Sequence, residues 1–317
     1  MNKPLLAALA TLAVTGIGVA PAAASSAAPA SPAAPASSAA PASSAAPASS
    51  AAPASSAAPA SSAAPASSAA PAARAVSFAG TVALSNCSGS LVRLPASEDD
   101  DPALVMSNGH CLETGFPAAG EVVVDQPSSR SFGLLNASGT RVGTLRAGKI
   151  AYATMTDTDV SLYQLTSTYA QIRGSYGISP LTLDDTRPTA GTAITVVSGY
   201  WKRTYACDVD GFAYRLKEGE WTWKDSVRYT SACQTIGGTS GSPVVDNATG
   251  EVVAVNNTGN EDGGRCTDNN PCEVAEDGTV TVREGINYGQ QTYQIPACFA
   301  LDNKLDLSRS GCVLPKP

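Results

Sequence analysis

Histidine is nearly missing from this chain of 317 residues: His110 is the only one. A site built on several imidazoles is thereby excluded, and any reaction needing a side-chain base that titrates near neutral pH has one histidine to draw on. The eight cysteines contain no Cys-x-x-Cys pair, so the usual ligand spacing of a structural zinc site is absent and no metal is expected. Basic side chains are outnumbered, 20 Lys and Arg against 27 Asp and Glu, and they lie scattered among the acids. Nucleic acid is therefore not an expected partner, because binding it requires a basic stripe that neutralises phosphates. Beyond the leader, no apolar run is long enough to cross a bilayer, so no membrane span is expected. Apolar residues at helical spacing are scarce as well, with a trace only near the C-terminus.

What is present falls into three stretches. Residues 1–24 carry Lys3, an apolar run from Leu5 to Val19 and small residues from Ala22 to Ala24, the layout of a secretory signal peptide. Residues 25–73 repeat Ala-Ala-Pro-Ala-Ser-Ser with no aromatic or large aliphatic side chain. Such a segment has nothing to bury against the entropy of ordering, so it reads as an extended spacer or a removable pro-segment. Residues 74–317 hold all 27 acids and 19 of the 20 bases, a net charge of about −8, and are long enough for one large β domain or two small lobes.

That third stretch is a series of short apolar or alternating runs separated by turn residues. Strands are expected at 76–84, 89–92, 104–107, 120–124, 142–145, 160–165, 193–197, 227–229, 243–245 and 252–255. The fold class is therefore all-β, in barrels or a sandwich. In an exported chain the even set Cys87, Cys111, Cys207, Cys233, Cys266, Cys272, Cys298 and Cys312 points to four disulfides. Proximity in sequence pairs Cys207 with Cys233, Cys266 with Cys272 and Cys298 with Cys312.

Three places can carry chemistry. His110 follows an apolar run and precedes Cys111 in Met106-Ser-Asn-Gly-His-Cys111. Ser240 lies in Gly237-Gly-Thr-Ser-Gly-Ser-Pro243, a bend that exposes a side chain and lets backbone N–H groups converge on a developing oxyanion. Asp159 opens Asp-Val-Ser-Leu-Tyr-Gln-Leu165, where a carboxylate at the rim of a core can orient an imidazole, with Asp157 as the competing choice. The order His, Asp, Ser argues against an α/β-hydrolase, in which the histidine follows the serine.

Together these motifs resemble the trypsin-like serine peptidases of the chymotrypsin fold, in their bacterial secreted, glutamyl-endopeptidase-like and HtrA-like branches. Cys87-Ser-Gly-Ser-Leu-Val92 with Gly109-His-Cys111 is similar to the family's first disulfide and histidine turn, and Asp159–Leu165 and Gly238–Pro243 are similar to its aspartate strand and nucleophile loop. The resemblance implies two packed six-stranded antiparallel barrels, over about 74–185 and 186–317. It also implies His110, Asp159 and Ser240 as a catalytic triad, backbone N–H groups of Gly238 and Ser240 as the oxyanion hole, and a disulfide between Cys87 and Cys111. A secreted, extracellular endopeptidase acting on peptide or protein substrates follows, working as a monomer and without a cofactor. The rival expectation is a catalytically silent, protease-like binding or adhesion module.

Some positions depart from the family pattern. Thr239 stands where digestive members carry an acid that pairs with a freed N-terminus. Gln234, Thr235 and Asn256 are expected to line the substrate pocket, with neither a second histidine for glutamate nor an acid at its base for Lys or Arg. The aromatic-rich insert from Tyr200 to Tyr229 is expected to pack as a hairpin against the barrel, with substrate contact as the other reading. Asp262, Asp268, Glu273, Glu276 and Asp277 read as a solvated face.

Overall fold

The computed structural model describes residues 76–317. The expectations for residues 1–75, including the signal peptide and spacer, lie outside the described residues.

The first eight strands are β1 (Thr81–Ala83), β2 (Ser88–Arg93), β3 (Pro102–Ser107), β4 (Val122–Pro127), β5 (Ser131–Leu135), β6 (Arg141–Thr154), β7 (Val160–Thr168) and β8 (Leu181–Thr182). Six of them run β1-β5-β6-β7-β3-β2 and close where β2 pairs antiparallel with β1. The next eight are β9 (Ala193–Ser198), β10 (Arg203–Glu218), β11 (Trp221–Tyr229), β12 (Pro243–Asp246), β13 (Val252–Gly259), β14 (Cys272–Val274), β15 (Val280–Val282) and β16 (Asn287–Gln291). A second ring runs β11-β16-β13-β12-β9-β10 and closes through the β10–β11 hairpin. Each closure removes the exposed edges that a flat sheet of this size would present.

Several ring strands are apolar at consecutive positions because both of their faces are covered. Leu91, Val105 and Tyr163 point into the first ring, whereas their neighbours Val92, Leu104, Met106 and Leu162 point out of it. In the second ring Val196 and Val244 point inward, and Val197 and Val245 point outward. The outward sets meet in one buried layer that also holds Tyr152, Val252 and Val255. A side chain of this size contributes about 1.5–3 kcal/mol when fully buried, so the layer joins the two rings into one folded body.

One α-helix, α1 (Tyr169–Tyr176), leaves β7 through a capping box in which the Thr168 hydroxyl accepts from the Gln171 N–H and the Gln171 side chain accepts from the Thr168 N–H. The helical trace expected near the C-terminus is reduced to single 3₁₀ turns at Pro296–Cys298 and Leu301–Asn303, each too short to propagate an α-helix. The segment 200–229 is not an appended hairpin: it supplies β10 and β11, two strands of the second ring. Four disulfides join Cys87 to Cys111, Cys207 to Cys233, Cys266 to Cys272 and Cys298 to Cys312. The last pins the C-terminal segment, whose Leu314 is buried in the layer between the rings.

Candidate active site

The three candidate residues sit at the ends of strands that form the layer between the rings: His110 just after β3, Asp159 just before β7 and Ser240 just before β12. β3 and β7 are hydrogen-bonded neighbours, with Ser107 opposite Ser161, so the turn after one meets the start of the other. His110 occupies a 3₁₀ turn, Gly109–Cys111, that packs so tightly under β6 that a Cβ on Gly109 would stand 2.2 Å from the Thr154 carbonyl oxygen. Only glycine fits there.

Asp159 is fully buried and receives two hydrogen bonds from the histidine turn. The His110 Nδ1–H donates to Oδ2 at 2.6 Å and the His110 backbone N–H donates to Oδ1 at 3.1 Å. Nε2 is thereby left as the imidazole's free nitrogen. Burial by itself favours the neutral imidazole, but the charge and hydrogen bond of the Asp159 carboxylate, together with the charge of Glu218, outweigh that and raise the His110 pKa above the ordinary value. Asp157 lies elsewhere: it adopts a positive φ of 59° and accepts from Lys224 Nζ at 2.6 Å, half-exposed.

The histidine turn is also clamped from behind. Arg130, 9 % exposed, donates to the Cys111 carbonyl at 2.6 Å, to Tyr163 Oη at 2.8 Å and to Asn86 Oδ1 at 2.7 Å, and it pairs with Glu113 at 3.1 Å. The Cys87 and Cys111 sulfurs lie next to His110 but are bonded to each other, which leaves no thiolate there to hold a metal.

Ser240 lies between Gly238, at φ 85°, and Gly241, at φ 80°. Its hydroxyl donates to the Asn257 carbonyl at 3.2 Å. Around it the backbone N–H groups divide into two sets. Thr239 donates to the Ile236 carbonyl, Gly241 to that of Asn256 and Ser242 to that of Thr239. Among the described residues, the N–H groups of Gly238 and Ser240 have no hydrogen-bond partner. Thr239 is buried, its hydroxyl donating to the Ile236 carbonyl at 2.5 Å and accepting from Asn256 Nδ2 at 3.1 Å.

His110 and Ser240 line one cavity of about 360 Å³ together with Thr235, Asn256 and Asn287. The Thr235 hydroxyl donates to Asn287 Oδ1 at 2.7 Å, giving this part a neutral, polar wall. Gln234 does not line the cavity: it is exposed and its Nε2 donates to the Ser231 carbonyl at 2.7 Å, because the bend turns its side chain outward.

Sequence reasoning missed Phe116 and Glu218, which line the same cavity, as does Trp221 of the aromatic-rich insert for which substrate contact was the other reading. Phe116 stacks edge-on against both His110 and Trp221, whose indole N–H donates to the Pro117 carbonyl. Glu218, at the end of β10, is pushed above the ordinary carboxylate value by burial, and its Oε1 accepts from the Asn269 N–H at 2.8 Å. Nothing in the local sequence singles it out, since its place depends on how far the β10–β11 hairpin reaches. Of the acids expected to be solvated, Asp268 lines this cavity, and Glu273 is largely buried under Arg228, Arg283 and Tyr288, which all donate to it.

Two closed six-stranded rings with a cleft at their junction define the chymotrypsin-like architecture. In sequence, residues 87–255 match the trypsin-like peptidase domain, and the chain belongs to that family. Solved structures with a similar fold include a protease from M. tuberculosis in its active form, at 14 % identity and TM-score 0.41, covering 75 % of this chain and 82 % of that one. The MamO protease domain from Magnetospirillum magneticum matches at 13 % identity and TM-score 0.41, over 67 % and 91 % of the two chains. A Glu endopeptidase in complex with MPD matches at 16 % and 0.41, over 68 % and 85 %. No curated protein matches the sequence.

Proposed function

We propose that this chain is a secreted serine endopeptidase in which Ser240 is the nucleophile, His110 the base and Asp159 the group that orients it. The observation that carries this reading is the 2.6 Å contact between His110 Nδ1 and Asp159 Oδ2 at the wall of the cavity that Ser240 also lines. Fixing the Nδ1 proton on Asp159 makes Nε2 the proton acceptor and stabilises the imidazolium once it forms.

Ser240 Oγ leaves the Asn257 carbonyl by rotation about χ1, a fast side-chain motion, and attacks the substrate carbonyl carbon while its proton passes to Nε2. The negative charge that develops on the substrate oxygen is received by the unpartnered N–H groups of Gly238 and Ser240. His110 then gives the proton to the leaving amine as the C–N bond breaks. Water attacks the acyl-enzyme by the same route, with the proton passing through His110 back to Ser240. No step calls for a cofactor.

Residues 1–24 act in this reading as the export signal, residues 25–73 as a spacer or pro-segment, and the protease domain begins near Arg74. Four disulfides suit an extracellular destination. No observation favours the silent binding module. Casein and a mixed peptide library, incubated with the full-length chain and with Ser240→Ala and His110→Ala variants, test the assignment. Cleavage by the parent alone supports it, and equal cleavage by the parent and Ser240→Ala overturns it.

A further inference from the structure

The orientation of the Gly237–Gly238 peptide decides whether the Gly238 N–H faces the cleft, and a tryptophan outside the cleft holds that peptide. The Trp201 indole N–H donates to the Gly237 carbonyl at 2.7 Å. Gly237 lines the cavity and Trp201 does not, so this bond draws the carbonyl away from the cavity. In a trans peptide the C=O and the following N–H point in opposite directions, so anchoring the Gly237 carbonyl on the outside turns the Gly238 N–H inward. That N–H has no other partner among the described residues.

The rest of the turn after β9 reinforces the anchor. Tyr200 stacks edge-on against Trp201 at 5.0 Å between ring centroids. A Cβ on Gly238 would stand 3.0 Å from Trp201 Nε1 and 3.1 Å from Tyr200 Cδ1, so the pair presses directly on the peptide it holds. Ser88 links the same turn to the first ring: its hydroxyl donates to the Gly238 carbonyl at 3.3 Å, accepts from the Tyr200 N–H at 3.1 Å and lies 3.0 Å from the Ser198 hydroxyl. Ser198 in turn accepts from the Trp201 N–H at 3.2 Å.

We infer that Trp201 is a positioning residue for the oxyanion hole, holding the Gly238 N–H toward the reacting carbonyl without touching substrate. The inference rests on the serine-peptidase reading above. It gives neutral hydrogen bonds the task that a charged N-terminus performs in the digestive relatives, whose acid is replaced here by Thr239.

The test compares the full-length chain with Trp201→Phe, which keeps an aromatic ring and removes the N–H, and with Trp201→Ala. An anchor that acts only in the transition state predicts that kcat for a good peptide substrate falls roughly 10- to 100-fold in Trp201→Phe, with KM changed less than about threefold. Inhibition by a peptidyl trifluoromethyl ketone, whose adduct with serine carries the oxyanion, weakens by a similar factor. Binding of a cleaved product peptide to the Ser240→Ala background stays the same whether or not Trp201→Phe is added. Wild-type kcat and ketone affinity in Trp201→Phe overturn the role of Trp201 while leaving the peptidase reading intact. A loss confined to KM, or matched by weaker product binding, also overturns it, since a packing defect would act that way. A parent chain that cleaves no peptide and binds no ketone overturns the peptidase reading, and the role of Trp201 with it.

Discussion

The two turns that meet in the cleft are held by different chemistry. The histidine turn is fixed by a disulfide, by the buried Arg130 with its fan of donated bonds, and by a fully buried carboxylate. The bend around Ser240 is tied down by neutral hydrogen bonds: Thr239 to Ile236, Asn256 to Thr239, Trp201 to Gly237 and Ser88 to Gly238. In the proposed mechanism a charged clamp suits the first turn, whose imidazole would develop positive charge beside a fixed negative partner. In the same proposal the bend has only to present two N–H donors, and neutral contacts would set their direction without competing for the oxyanion. The difference also explains how the bend keeps its shape with no acid at position 239.

If charge governs the first turn, its removal should give the largest loss. Asp159→Asn is expected to lower kcat by about ten-thousand-fold with the fold intact, because the wrong tautomer is held. The pH profile sharpens this. His110 takes a proton only when neutral, and Asp159 holds its pKa above the ordinary imidazole value of about 6.5. Activity of the parent should therefore fall as the pH drops through a value higher than that, and in Asp159→Asn, where burial is opposed only by the weaker pull of the Glu218 charge, the acid limb should move down. An acid limb that stays in place would break the comparison.

If direction governs the second turn, Gly238→Ala should come next. Its φ of 85° is strained for a residue with a Cβ, and that Cβ would stand 3.0 Å from Trp201 Nε1, so the peptide or the indole that holds it must give. A loss of about 100- to 1000-fold in kcat with modest change in KM is expected from steady-state kinetics. Arg130→Leu should be smaller in rate but plain in stability, costing about 2–4 kcal/mol by denaturant unfolding, because the Cys111 carbonyl and Tyr163 hydroxyl lose their donor. An unchanged midpoint would mean that the disulfide and Asp159 hold the turn without it.

Much of this was legible in the sequence wherever apolar patterning or motif order carried it. The strands of the layer between the rings announce themselves as apolar runs, since both faces are buried. β16 does not: Asn287, Gln290 and Gln291 are buried polar residues held by bonds to Cys233, Ser226 and Asp225, a pattern that reads as a loop. β10 alternates buried Tyr205, Cys207 and Val209 with outward polar residues, and both of its ring partners, β9 and β11, adjoin it in sequence, so its strand pattern is local even though its place in the closed ring is not. The helix α1 carried its capping box, Thr168 and Gln171, in plain view, but it is too short for apolar spacing to reveal it. Residue type and order single out His110, Asp159 and Ser240 as candidates, and the structure brings them to one cleft. Glu218 and Phe116 carry no such signal, because their places come from the reach of a hairpin and the meeting of two turns.

The central claim is that Ser240 is an activated nucleophile, and labelling tests it most directly. The full-length chain and its Ser240→Ala variant would be treated with a fluorophosphonate and the adduct located by mass spectrometry. The account predicts one adduct, on Ser240, in the parent alone and lost when the parent is denatured first. A folded parent that stays unlabelled, or that carries the label at another residue equally in both chains, would contradict it.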